Sequence, residues 1–220
     1  MELIGRGRTA DVFAYEDGKI VKLYRKGMPK SAIEQEFRIS QLTHSLGVQS
    51  PQAYQMIESE DRAGIVFERI QGITLLKSMV ARPWFIGRKS KLLADLHWSM
   101  HACSAGEGLR IQKDSLRDQI DHASLLSSEE RLRVAGYLES LPNGDRICHG
   151  DFHPDNILIG EKTWMIDWMT GTAGHPAGDA ARTVILLKYG TMPEGTPGFV
   201  NMLINAIRKS IIKHYLRRYL

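Results

Sequence analysis

The stretch that decides the fold is Ile147-Cys-His-Gly-Asp-Phe-His-Pro-Asp-Asn-Ile-Leu-Ile159, followed at a short distance by Met165-Ile-Asp-Trp168. Asp151 and Asn156 stand five apart across a loop containing Pro154, so both side chains are able to turn toward one point. Ile157–Ile159 and Trp164–Ile166 read as a strand pair around a Gly160-Glu-Lys turn, which carries the Asp167 carboxylate toward Asn156. An amide oxygen beside a carboxylate is a hard-donor pair of the kind Mg²⁺ takes when phosphates and waters fill its other positions. Asp151 is then left to orient an attacking hydroxyl and accept its proton. Positioning and charge neutralisation are what phosphoryl transfer chiefly requires.

Upstream of this segment the pattern is β-rich. Val12–Tyr15, Asp17-Gly18 and Lys19–Tyr24 form a hairpin signature, because Asp-Gly suits a turn that needs positive φ. Ser31-Ala-Ile-Glu34 reads as a capping box. Ile33, Phe37, Leu42 and Leu46 then recur at near-helical spacing until Gly47. Short strands follow at Gln52–Ile57 and Gly64–Phe67. From Gly72 the pattern turns helical, with Leu92, Leu96 and Met100 on one stripe and Ser128-Glu-Glu opening a helix that runs to about Leu141. No repeat, low-complexity stretch or linker interrupts the 220 residues.

HGDFHPDN with a downstream IDW resembles the catalytic signature of the aminoglycoside phosphotransferase and choline kinase-like family, small-molecule kinases with a protein-kinase-like fold. The resemblance runs from about Leu3 to Thr183. It implies an α+β, two-lobed chain: a nucleotide-binding lobe over residues 1–70 and a helical lobe over 71–220 carrying the catalytic loop and acceptor site. It implies Asp151 as the catalytic aspartate, Asn156 and Asp167 as Mg²⁺ ligands, and His149 as a structural histidine beneath the loop. Lys22 matches the lysine that holds the α- and β-phosphates of ATP, with GTP left open. A glutamate of the next helix would hold it. Glu34 and Glu36 both suit, and Glu36 is preferred because the capping box already accounts for Glu34. Gly5 and Gly7 stand where a glycine-rich loop would cover the phosphates, although Ala10 replaces its third glycine. Phe67-Glu-Arg-Ile70 is similar to the hinge, whose backbone at Glu68 and Ile70 would bind the base. Asp179, in Gly174-His-Pro-Ala-Gly-Asp179, would brace the catalytic loop.

Other features exclude alternatives. There is no GxxxxGK[ST], so the chain is not a Walker-type NTPase, and a dinucleotide fold lacks its third glycine and βαβ context. The short segment between Asp167 and Asp179 favours a small hydroxyl-bearing acceptor over a peptide. A nucleotide-binding regulatory module of the same fold, or a kinase of a protein or lipid headgroup, is the alternative. His97 and His101, four apart on a helix, read as helix packing rather than a metal grip, and Cys148 as a buried small hydrophobe.

Two cysteines make no disulfide framework, and no apolar run approaches a membrane span, so the residues read as soluble and cytoplasmic. The net charge is +4, but Ala180–Leu220 alone carries +6. A surplus confined to one tail does not point to nucleic acid. It also argues against a strongly cationic acceptor such as an aminoglycoside. In the last helix Val200, Ile204, Ile207, Ile211 and Tyr215 form an apolar stripe, opposite Lys209, Lys213 and Arg217.

Overall fold

The structure, a computed structural model, describes residues 1–190 and 198–220, with the backbone alone at 198–201. The chain begins with strands β1 (Leu3–Arg6), β2 (Ala10–Ala14) and β3 (Lys19–Tyr24), helix α1 (Lys30–Ser45), and strands β4 (Ala53–Ser59), β5 (Arg62–Glu68) and β6 (Ile73–Thr74). Helices α2 (Leu75–Ala81), α3 (Ile86–His101), α4 (Gln112–Asp121) and α5 (Ser128–Ser140) follow. Short strands β7 (Arg146–Cys148), β8 (Ile157–Ile159), β9 (Thr163–Met165) and β10 (Thr172–Gly174) then lead into helices α6 (Pro176–Tyr189) and α7 (Gly198–Tyr219). Two compact units result: Met1–Phe85 with His153–Thr170, and Ile86–Phe152 with Gly171–Leu220.

The first unit is built on an antiparallel sheet ordered β1-β2-β3-β5-β4. Its Asp17-Gly18 turn is as the sequence predicts, with Gly18 at φ +69°, a conformation a side chain would strain. Alternation along β3 sorts its side chains. Val21 and Leu23 pack with Val66 on one face, while Tyr24 packs with Ala10, Ile33, Ala53 and Ile65 on the face that α1 covers. Lys22, two residues before Tyr24, shares that second face.

Helix α1 departs from the sequence reading at both its cap and its stripe. It starts at Lys30, with Pro29 at the N-cap and no side-chain cap, so Ser31 lies inside the first turn. The fixed φ of Pro29, −58°, sets the chain entry, and its carbonyl takes the amides of Ala32 and Ile33. The buried face is Ile33, Glu36, Ile39, Ser40 and Thr43; Phe37 and Leu42 are half-buried and Leu46 is exposed.

In the second unit, β7 pairs antiparallel with β10, and α3 packs along α7. The buried face of α3 is Ile86, Ser90, Leu93, Ala94, His97, Met100 and His101, so the expected stripe shifts by one residue and Leu92 and Leu96 are half-buried. Helix α5 starts at Ser128 as expected, and its capping box is formed by Ser127 and Glu130. In α7, Ile211 and Tyr215 are buried while Lys209, Lys213 and Arg217 are exposed; Val200 lies outside the described side chains. Among the described residues no helix is long and apolar enough to cross a membrane.

Candidate active site

In the first unit two of the residues singled out by sequence, Glu36 and Asp167, meet at Lys22. Its Nζ donates to Glu36 Oε1 at 2.6 Å and to Asp167 Oδ1 at 2.9 Å. Glu36 is 1% exposed, whereas Glu34 is exposed, so the helix register makes the pairing. Tyr24, which sequence reading missed, donates its hydroxyl to Glu36 Oε2 at 2.7 Å. The signal was there: period-2 alternation puts Tyr24 on the lysine's face. Burial alone would lower the Lys22 pKa, but Glu36 and Asp167 outweigh it and hold it above its usual value, so the ammonium stays charged. Burial, with Glu36 adding, pushes the Tyr24 hydroxyl well above its usual range and keeps it a donor.

Asn156 and Asp167 sit at one end of the β8–β9 ladder. Ile157 pairs with Met165, and the Ile166 amide donates to the Asn156 carbonyl at 3.0 Å, which sets Asn156 beside the residue preceding Asp167. Strand β9 stops at Met165, two residues short of Asp167. Asp167 then adopts φ +67°, a left-handed conformation that costs an ordinary side chain about 1–2 kcal/mol. Its neighbours enforce it: Trp168 is 1% exposed with its indole N–H on the Met165 carbonyl at 3.1 Å, and the Asp167 carboxylate is drawn to Lys22. Such strain is typical of groups held for function.

Gly5 and Gly7 lie around the β1–β2 turn, where the Gly7 amide bonds the Ala10 carbonyl at 2.8 Å. Arg25 fastens that turn through the carbonyls of Arg8 and Gly7, both at 2.9 Å. Glu68 ends β5, its amide on the Gln52 carbonyl at 2.9 Å, and Ile70 follows half-buried.

Asp151 belongs to the second unit, where the loop before it is anchored at several points. Gly150 takes φ +75°, a turn that only glycine enters without strain. The buried Asp179 carboxylate accepts the His149 amide at 2.6 Å and the Gly150 amide at 2.8 Å. His97 and His101 present Nε2 to the same carboxylate at 3.0 and 3.2 Å. Arg182, one turn beyond Asp179, donates to the Gly150 carbonyl. The Asp151 amide reaches His149 Nδ1 at 3.3 Å, and Phe152 stacks on His97 with ring centroids 4.0 Å apart. Cys148 is fully buried, and burial raises its thiol pKa, as suits an inert packing residue.

Burial also depresses His97, to about 4, although Asp179 pulls it upward. Around it stand Asp179 of α6, Tyr215 and Tyr219 of α7, His101 of α3 and His149. The unfolded chain therefore binds a proton near pH 6.5 that the folded chain refuses until about 4. Stability is full above 6.5 and falls with pH through that window, by about 3 kcal/mol at its lower end. Burial would raise Asp179, but its bonds from His101 and His97 win and hold it below 3.8, so it adds a loss only in stronger acid. Urea unfolding between pH 7.5 and 4.5 is expected to show this slope, and His97→Gln to flatten it.

Known proteins resemble this chain in sequence and in fold. A Bacillus subtilis (strain 168) protein of uncharacterised function, YcbJ, is 25% identical over 141 residues, 58% of this chain; the match spans about half, 46%, of that relative's length. The apo thermostable mutant of aminoglycoside phosphotransferase APH(4)-Ia is similar with a TM-score of 0.67 at 14% identity, covering 99% of this chain and 78% of that one. Aminoglycoside-3'-phosphotransferase of type VIII gives 0.61 at 19%, covering 100% and 92%. The streptomycin–ATP complex of APH(2'')-IIa gives 0.55 at 18%, covering 99% and 77%. These likenesses show a two-lobed, protein-kinase-like α+β fold. The model of the phosphotransferase enzyme family matches residues 1–217, and the chain belongs to that family.

Proposed function

We propose that the protein transfers the γ-phosphoryl group of ATP to a hydroxyl of a small molecule. The observation that carries this reading is the half-buried Lys22 ammonium held between Glu36 and Asp167. A cation fixed by two carboxylates is ready to meet phosphate oxygens without reorganisation. Residues 1–70 then serve as the nucleotide lobe, with Gly5 and Gly7 over the phosphates and the Glu68–Ile70 backbone at the base. Residues 71–220 carry the acceptor. A neighbour by fold, APH(2'')-IIa, was solved with ATP, which supports that nucleotide here.

The donor set fits Mg²⁺. Asn156 and Asp167 offer hard oxygens at one end of a single ladder, and the Asp167 side chain is 38% exposed, open to a third party. These two residues would hold the ion, which when bound neutralises charge on the phosphate oxygens. Asp151 orients the acceptor and takes its hydroxyl proton as the oxygen–phosphorus bond forms. The β,γ-bridging bond breaks, and ADP leaves with that electron pair. Lys22 stays protonated throughout and keeps the phosphates aligned.

Mg²⁺-dependent release of ADP from ATP, lost in Asp167→Ala, tests the reading; ADP release indifferent to Mg²⁺ or to that substitution would remove it. Lys22→Met is expected to raise the KM for ATP about tenfold or more, measured in the same assay, since a charge-assisted phosphate contact of about 1.5–3 kcal/mol is lost. For the acceptor, neutral and anionic hydroxyl metabolites belong beside aminoglycosides in the screen. Helix α7 bears Arg208, Lys209, Lys213, Arg217 and Arg218 with no acid among them, which disfavours a polycationic acceptor.

A further inference from the structure

Asp179 is anchored from a second direction by the C-terminal helix. His97 Nδ1 lies 2.7 Å from the Tyr215 hydroxyl, and His101 Nδ1 lies 2.6 Å from the Tyr219 hydroxyl. The two phenol rings stack, with centroids 5.5 Å apart. His97, Asp179 and Tyr215 are at most 1% exposed and His101 is 6% exposed.

Two histidines and a carboxylate have the composition of a metal site. The hydrogen bonds close without an ion. Burial raises the Tyr215 hydroxyl well above its usual range and Tyr219 to about 12, so both phenols keep their protons. Each phenol therefore donates to the Nδ1 facing it, and each Nε2–H is left to donate to Asp179 Oδ2. The opposite tautomer would turn a ring lone pair against the carboxylate. The tyrosines thus select the histidine tautomers, and the histidines hold the carboxylate that aims the amides of His149 and Gly150.

We propose that Tyr215 and Tyr219 are positioning residues for the Asp151 loop, so that helix α7 takes part in turnover through two tyrosine–histidine relays onto Asp179. The inference rests on the proposed role of Asp151. It adds that hydroxyls on a helix in the last quarter of the chain set that residue's alignment.

Tyr215→Phe and Tyr219→Phe remove one oxygen each and keep the rings. With Mg·ATP hydrolysis as the assay, each is expected to lower kcat about tenfold while KM for ATP stays within about twofold. Both act through one carboxylate, so the double variant should lose less than the product of the single losses. Amide hydrogen exchange at His149 and Gly150 should quicken in both variants, whatever the turnover. Tyr137→Phe, an exposed phenol of α5, is the control and should change nothing. A lower Tm with unchanged kcat and unchanged exchange at those two amides would make the tyrosines merely structural and overturn the proposal. If Asp151→Asn leaves hydrolysis intact, the underlying reading fails instead; if Asp151→Asn abolishes it and the tyrosine variants do not slow it, only this inference fails.

Discussion

Asp151→Asn is expected to bind Mg·ATP within about twofold of the unmodified protein while turnover falls by about two or more powers of ten. The substitution keeps the shape of the side chain and removes its capacity to accept a proton. Nucleotide binding should survive because the groups proposed for it, Lys22, Glu36, Asn156 and Asp167, all lie in the other compact unit. The loop itself should also survive, since its anchors are the amides of His149 and Gly150 on Asp179 and the Gly150 carbonyl on Arg182, none of which involves the Asp151 carboxylate. Titration with a fluorescent ADP analogue and steady-state ADP release separate the two effects. Turnover within a few-fold of the unmodified protein would take Asp151 out of its role. Weakened nucleotide binding with unchanged turnover would give it a different one.

What the sequence made legible follows physical range. Lys22 stood out by its match to the phosphate-holding lysine of the family the sequence resembles, and the alternation along β3 sets its face. The partner was harder to read: Glu34 and Glu36 differ only by the register of α1, and the apparent capping box at Ser31 misplaced the start that Pro29 sets. Asn156 and Asp167 were readable because one short hairpin carries both. The left-handed backbone of Asp167 was not: aspartate enters that region more readily than most side chains, but its ion pair with Lys22 and the burial of Trp168 select it at this position. Helix α4 escaped the sequence reading for a plain reason: only Leu116 and Ile120 of its ten residues are apolar and none is buried, so its stripe is too sparse to stand out. His97 and His101 were visible as a pair four apart, but their meaning depends on Asp179, some eighty residues away, and on two tyrosines further still. Contacts of that separation leave no mark in local spacing.

Asp179→Ala is expected to cost about 4 kcal/mol and to lower Tm by about 10 °C, with turnover lost even where the protein stays folded. The carboxylate is 1% exposed and takes four donors: two backbone amides and two imidazoles. Removing it strands all four in a site that water does not reach, and each buried donor left without a partner costs about 1–3 kcal/mol before relaxation. Relaxation is limited on the imidazole side, because Tyr215 and Tyr219 hold the rings at their other nitrogens. Asp179→Asn should be the milder change. With its amide oxygen in the place of Oδ2, asparagine still accepts from His97, His101 and the His149 amide, and only the Gly150 amide, which faced Oδ1, loses its acceptor. Urea unfolding at pH 7.5 should therefore order the proteins as unmodified, Asn, Ala, with Asn nearer the top. Alanine at this position within about 1 kcal/mol of the unmodified protein would mean that the four bonds merely replace equal bonds to water, and that the loop before Asp151 is held by Arg182 and Phe152 instead.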